Sequence, residues 1–481
     1  MTNVRLPRRS SATEGLGERA VVLGASMGGL LAARVLADFF DTVTVVERDV
    51  LRDDPVVRRG VPQGRHLHVL LARGAQILDE LFPGFLNELV ADGAPVWDDG
   101  ELSKLRLSFG GHEVLRSGRV TKEPKSLAIH MPSRPFLEWH VRRRLQALSN
   151  VTILGGHDVT ELTSTPDRDR VTGVRVVNRE DGAERELTAD VVMDAMGRGA
   201  HTPASLERLG YGRPVEDHIV MHTNYVSQQL RIPPNTLSEM LVDIGPAPDR
   251  PTGMFLTGYE NDTWMFTVFG MVGHEPPRDL AGMLSFAQGY CPAHIIAAIQ
   301  AAEPIGEVAH HHLPSSQWRR YDKMPRLPEG LLVCGDAICS FNPVYGQGMT
   351  VAAMEAVALR ACLRGGGVDL PRRYFRASAN PIGVTWQMVA SSDLALPGVV
   401  GRRPKSMRIA TRFLDWALTA CESDLVVAVR FFRVNSLIDP PFRLLHPAFV
   451  CRVAAVNLRR RRADRRPRQA AVANRAGSRK T

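Results

Sequence analysis

Apolar positions along this chain fall into two periods, and the places where one gives way to the other outline the fold. Residues 20–23 form a short apolar run, Gly24-Ala25-Ser26-Met27-Gly28-Gly29 interrupts it, and residues 30–39 are apolar densely enough for a helix. A second run, Val43-Thr44-Val45-Val46, then ends at Glu47. Element order and length predict a βαβ unit. Residues 133–147 read as a helix with Phe136, Leu137, Val141 and Leu145 on one side, followed by a strand at 151–154 and another at 158–162. Residues 173–178 and 184–188 read as an antiparallel pair joined at Glu180-Asp181-Gly182, and 191–193 as a strand entering Asp194-Ala195-Met196-Gly197-Arg198. From 219 to 271 the texture changes: 220–230, 254–259 and 264–271 predict extended strands of an inserted antiparallel sheet. Leu331-Leu332-Val333-Cys334 predicts a buried strand, and from about 335 to 458 the chain reads as mostly helical. The fold class expected is α/β, α+β overall, with a discontinuous Rossmann-like domain, an inserted antiparallel-sheet domain and a C-terminal helical region. No internal repeat is visible.

Two of the turns carry candidate chemistry. Gly24-x-Ser26-x-x-Gly29 has the spacing of a dinucleotide turn with serine at the middle glycine. The first glycine permits the tight turn, the small second residue lets a pyrophosphate approach, and the third lets helix and strand pack closely. Glu47 ends the next strand, where a carboxylate can take both hydroxyls of an unphosphorylated adenosine ribose, as in NAD or FAD. The second turn is Gly335-Asp336 through Pro343, Gly346, Gly348, Met349 and Thr350, between a strand and a helix. Its aspartate can accept bonds from a sugar-like hydroxyl, and its Gly346-Gln347-Gly348 backbone can approach a flat ligand and aim free N–H groups at an anionic edge.

Taken with the Asp194 segment, these turns give the chain a resemblance to the FAD-dependent monooxygenases of the para-hydroxybenzoate hydroxylase fold, over residues 19 to about 390. Arg59-Gly60-Val61-Pro62-Gln63-Gly64-Arg65-His66-Leu67-His68 is similar to a block in actinobacterial polyether-type epoxidases and hydroxylases; squalene epoxidase is a more distant likeness. The resemblance implies that Gly24, Ser26, Gly28, Gly29, Glu47 and Arg48 hold the ADP half of FAD, with Arg134 and the backbone at Val159 nearby. It implies Asp194, Gly335 and Asp336 at the ribityl and pyrophosphate region, and Pro343, Gly346, Gly348 and Met349 beside the isoalloxazine. Ala195 for glycine and Thr350 for the asparagine of many relatives depart from the pattern. Arg65, which is also a candidate cofactor contact, and His66 are the weak catalytic candidates, and no metal is implied.

The implied domains are an FAD-binding domain at 19–80, 125–205 and 320–390, a substrate domain at 81–124 and 206–319, and helices at 391–458. Disordered ends are expected at 1–18 and 459–481. The implied reaction inserts one oxygen atom from O2 into a small apolar substrate, by epoxidation or hydroxylation through a flavin C4a-hydroperoxide. NAD(P)H would be the electron donor, directly or through a flavin reductase. A geranylgeranyl-reductase-like flavoenzyme and a non-catalytic FAD- or lipid-binding protein are the rivals, and the absence of a Trp-x-Trp-x-Ile stretch speaks against a flavin halogenase.

Composition narrows the partners. With 44% hydrophobic and 23% charged residues the chain is ordinary for a globular protein. Its net charge of +9 lies at one end: ten basic residues and one acid follow from Arg459 onward, which leaves fifty of each sign in the body. Nothing there suggests a nucleic-acid surface. Six cysteines without a CxxC pair predict neither a zinc site nor a disulfide framework, so a cytoplasmic protein is expected. His310-His311-His312, with no carboxylate or cysteine cluster beside it, reads as a solvated strand. Apolar runs at 425–432 and 449–456 adjoin the arginine tail, a pattern that fits peripheral contact with the inner face of an anionic membrane.

Overall fold

The computed structural model describes residues 16–477; the expectations for 1–15 and 478–481 fall outside the described residues. Five strands form a wholly parallel sheet in the order Leu331–Val333, Val191–Asp194, Arg19–Leu23, Thr42–Val46, Val151–Leu154. The apolar runs of Arg19–Leu23, Val191–Asp194 and Leu331–Val333 are buried on both faces, as helices on both sides of a parallel sheet require, while the edge strand Val151–Leu154 is only partly covered. Helix Met27–Leu36 packs against Arg134–Gln146 and Gly348–Arg364, so three segments distant in sequence share one layer. A small antiparallel sheet, Glu184–Thr188, Val171–Asn178 and His157–Ser164, flanks this unit.

A second, eight-stranded sheet runs in the order Cys339–Ser340, Glu303–Arg319, Glu216–Arg231, Thr263–Gly270, Thr252–Gly258, Leu241–Ile244, Leu105–Phe109, His112–Glu113. All neighbours are antiparallel except Leu241–Ile244 with Leu105–Phe109. Val226, Leu230, Val242, Ile244, Met254 and Phe266 cover one face with the helices Leu280–Ala287 and Ala293–Gln300. The other face looks into a large cavity.

The C-terminal helices Lys405–Cys421, Leu425–Asn435 and Pro447–Gly477 join Trp97, Leu105 and Leu107 in a separate core. Val427, Phe431, Phe432, Phe449 and Val453 are buried there, so one side of each of the two apolar runs considered for membrane contact is core. The last helix continues through 459–477, where a disordered tail is expected. Alanine and arginine dominate that stretch, and both are strong helix formers. Among the described residues no helix is long and apolar enough to cross a membrane.

Candidate functional site

Strand Arg19–Leu23 ends at Gly24, whose φ of +100° only glycine adopts freely. A Cβ at Gly24 would stand 2.7 Å from the Ala195 carbonyl oxygen, and one at Gly29 would stand 1.9 Å from the Gly24 carbonyl oxygen. Gly29 is therefore a packing glycine that does not reach the cavity, whereas Gly24, Ser26 and Gly28 line it. Ser26 caps helix Met27–Leu36 without using its side chain on the helix. Its hydroxyl accepts from Arg134 Nη2 at 2.8 Å and donates to Glu138 at 3.3 Å, so Arg134 is fixed beside the helix N-terminus.

Glu47 differs from the expectation. Its carboxylate, 5% exposed, already accepts from the Ala25 N–H at 2.8 Å and the Asp49 N–H at 3.0 Å, and it pairs with Arg58 at 2.9 Å. A carboxylate offers about four lone-pair sites, which leaves room for one ribose hydroxyl rather than two. Arg58 is the residue the sequence reading misses: it also pairs with Glu138 and Asp49 and donates to the Ala25 carbonyl at 2.7 Å. A cation within a loop leaves no periodic trace, and only the arrival of three carboxylates from other segments marks it.

The second turn closes the same space. Gly335, Asp336, Pro343, Gly346, Gly348 and Met349 line the cavity, as do Arg48, Val159 and His66. Burial by the surrounding walls raises the Asp336 pKa, opposed by the charges of Arg134 and Arg198, although the side chain itself is exposed to the cavity. Glu355, about two turns into helix Gly348–Arg364, is 1% exposed and accepts the Gly335 N–H at 2.7 Å, tying the turn to the helix. Thr350 is buried and outside the lining, against Gly74.

Two expectations are corrected. Asp194 is wholly buried and turned away from the cavity: it accepts from the Thr202 hydroxyl and from the Met196 N–H at 2.9 Å, which folds the 195–199 loop so that its backbone lines the cavity instead. Arg65 is exposed and does not reach the lining, because it lies at the end of the short turn of helix Pro62–Arg65 on its outer side.

The cavity, about 1590 Å3, exceeds the roughly 300–1,000 Å3 of a site for one drug-sized ligand. It continues from the two turns to an apolar end walled by Leu105, Leu107, Phe255, Phe413, Leu418 and Phe431. Of the large apolar residues on the neighbouring strands Thr252–Gly258 and Thr263–Gly270, Phe255 lines it, while Met254, Phe266 and Phe269 are core. His66 is bonded to Ser227 at 2.8 Å, and Ser227 to Thr267 at 2.7 Å. Burial, with His311 nearby, lowers the His66 pKa to about 4, and burial lowers that of His68 to about 3, so both rings are neutral at physiological pH. His311 and His312 also line the cavity rather than serving only as a solvated strand.

The cavity wall fits FAD. A free helix N-terminus stands beside the Arg134 guanidinium, the arrangement that holds a pyrophosphate. At Gly346 and Gly348 a Cβ would meet nothing within 4 Å, so the protein leaves open the space a flat ring needs.

No family model matches the chain. Protein Rv3254 of Mycobacterium tuberculosis (strain ATCC 25618 / H37Rv) is 40% identical over 467 residues, 95% of this chain and 98% of that one. A kynurenine 3-monooxygenase of Salinispora arenicola is 26% identical over 371 residues, 72% of each chain. Among solved structures, p-nitrophenol 4-monooxygenase PnpA from Pseudomonas putida matches with a TM-score of 0.62 at 15% identity, covering 88% of this chain and 99% of that one. The flavin-dependent brominase Bmp2 matches at 0.61 with 13% identity, covering 94% and 100%. The chain therefore belongs to the family of Protein Rv3254, built on the fold of the flavin-dependent monooxygenases.

Proposed function

We propose that this chain is an FAD-dependent monooxygenase that inserts one oxygen atom into an apolar organic substrate by hydroxylation or epoxidation. The observation that carries this reading is the single cavity joining both FAD-binding turns to an apolar end. The kynurenine 3-monooxygenase likeness supports the reaction class. The epoxidase branch rests on the Arg59–His68 block. Bound FAD supplies the redox and oxygen chemistry, with NAD(P)H as donor directly or through a flavin reductase.

The side chains bind, orient and exclude water. Gly24, Ser26, Gly28 and Arg134 would hold the pyrophosphate, and Glu47, using its one remaining lone pair, an adenosine ribose hydroxyl. Asp336 would take the ribityl side. The N-terminus of helix Gly348–Arg364 opens on the cavity and favours negative charge there. The apolar wall excludes water from the substrate end. The absorbance spectrum of the purified protein tests the reading: flavin bands, retained or restored by added FAD, are expected, and their absence overturns it. Oxygen from labelled O2 in the product separates a monooxygenase from the isoprenoid-reductase rival.

The rim of the cavity favours substrate delivery from an anionic membrane surface. Ile409, Phe442 and Leu445 line the mouth yet are 74%, 66% and 62% exposed. Arg402, Arg403, Arg408, Arg412 and Arg443, in the same segments of the chain, are exposed. Each basic residue near such a surface contributes ~1 kcal/mol. Sedimentation with phosphatidylserine vesicles is expected to fall on Ile409→Asp/Phe442→Asp substitution as well as on deletion of 459–481; binding unchanged by both sinks the idea.

A further inference from the structure

One ionisable side chain at the apolar end of the cavity, Asp243, has no partner among the described residues. Strand Leu241–Ile244 alternates: Val242 and Ile244 face the covering helices, whereas Leu241 and Asp243 face the cavity. The cross-strand neighbours of Asp243 are Leu107 on one side and Phe255 on the other, and both line the cavity. The same rung of the sheet continues through Thr267 to Ser227, which carries His66. Those three polar residues satisfy one another. Asp243, two strands away, makes no hydrogen bond and no ion pair among the described residues.

A carboxyl group in an apolar wall without a partner is an unfavourable placement unless something in the cavity completes it. Burial alone raises its pKa to about 8, and no charged side chain contributes. At neutral pH it is thus largely uncharged, with one O–H to donate and lone pairs to accept. A substrate carboxylate would gain little there, whereas a hydroxyl or amino group fits.

We propose that Asp243 anchors the substrate by a hydrogen bond to a hydroxyl or amino group on an otherwise apolar molecule, setting which part of that molecule faces the Pro343–Gly348 loop. This deepens the proposed function and rests on it for the identity of the ligand as substrate. Asp243 is a substrate-contact residue here, distinct from the His66–Ser227–Thr267 set on the same rung.

The test uses the full chain with FAD added to saturation and two probes of similar shape, 1-naphthol and 1-methylnaphthalene, titrated by quenching of protein fluorescence; Trp97 lines the cavity. The wild-type protein is expected to prefer 1-naphthol by roughly tenfold, the worth of one good hydrogen bond. Asp243→Leu is expected to bring the ratio within about twofold while leaving 1-methylnaphthalene affinity unchanged or higher. Asp243→Asn, nearly isosteric, is expected to keep part of the preference and guards against misfolding of the leucine variant. A preference for 1-naphthol equal in all three proteins, or absent from the wild type, overturns the proposal. If FAD fails to bind, the monooxygenase reading falls while the probe ratio still reports on Asp243; if FAD binds and the ratio does not move, this inference alone falls.

Discussion

Replacing Glu355 by glutamine tests whether the turn at Gly335 is held by a carboxyl group that stays protonated. Glu355 is 1% exposed, and burial, reinforced by the Asp336 carboxylate, raises its pKa from 4.5 to about 8; the Gly335 N–H opposes the rise. In the unfolded chain the proton leaves near 4.5, while the folded protein keeps it until about 8. Between those values the folded state binds more protons than the unfolded one, so stability is complete below 4.5 and falls as pH rises. The slope is at most about 1.4 kcal/mol per pH unit, and the whole window amounts to about 5 kcal/mol. Water in the adjoining cavity and the coupling to Asp336 reduce it; even about 2 kcal/mol is a large fraction of an ordinary domain's stability. Glu355→Gln keeps an oxygen to accept the Gly335 N–H and removes the titration. Denaturant unfolding from pH 5 to 8.5 is therefore expected to show the variant gaining on the wild type with each rise in pH. Parallel midpoints across that range would refute the reasoning, since they would mean the carboxyl is solvated or paired in the fold.

The remaining predictions concern the cofactor end of the cavity. Gly348→Val places two methyl groups in the open space where a Cβ meets nothing, so flavin retained through gel filtration is expected to fall more than about tenfold, with the unfolding midpoint changed by less than the equivalent of about 1 kcal/mol. Arg58→Met removes the cation from Glu47 and Glu138, each about 5% exposed, and is expected to cost about 3–5 kcal/mol by denaturant unfolding. Adding Glu47→Gln to Arg58→Met is expected to recover part of that loss, because Glu138 keeps its pair with Arg134 at 3.1 Å and Glu47 is the carboxylate left without a cation; no recovery would place the cost in lost packing instead.

The local parts of this protein were legible in its sequence. The 20–47 βαβ unit, the glycine turn within it and the strand–turn–helix at 331–356 follow from short-range pattern, because a glycine forced into the turn and a strand buried on both faces constrain neighbouring residues directly. Helices Ala72–Leu81, Leu280–Ala287 and Ala293–Gln300 are elements the pattern left unassigned, and of the long strand Glu303–Arg319 it marked only the histidine run. Their positions are decided by what they cover. Leu280–Ala287 and Ala293–Gln300, for example, exist to cap one face of a sheet whose strands come from three parts of the chain.

Function divides in the same way. The sequence by itself pointed to a dinucleotide with an unphosphorylated adenosine ribose, since the residues that approach a pyrophosphate lie within a short motif whose spacing is chemically constrained, and its resemblance to the flavin monooxygenases implied FAD. Only the tertiary structure decided that Asp194 turns inward, that Glu47 shares its carboxylate with Arg58, and that Asp243 faces an apolar cavity alone. The physical reason is that the partners, or lack of partners, of a buried charge lie in loops or in other elements, from the next turn of chain at Asp194 to a different strand at Asp243, and no local period encodes which of them the fold brings within a hydrogen bond.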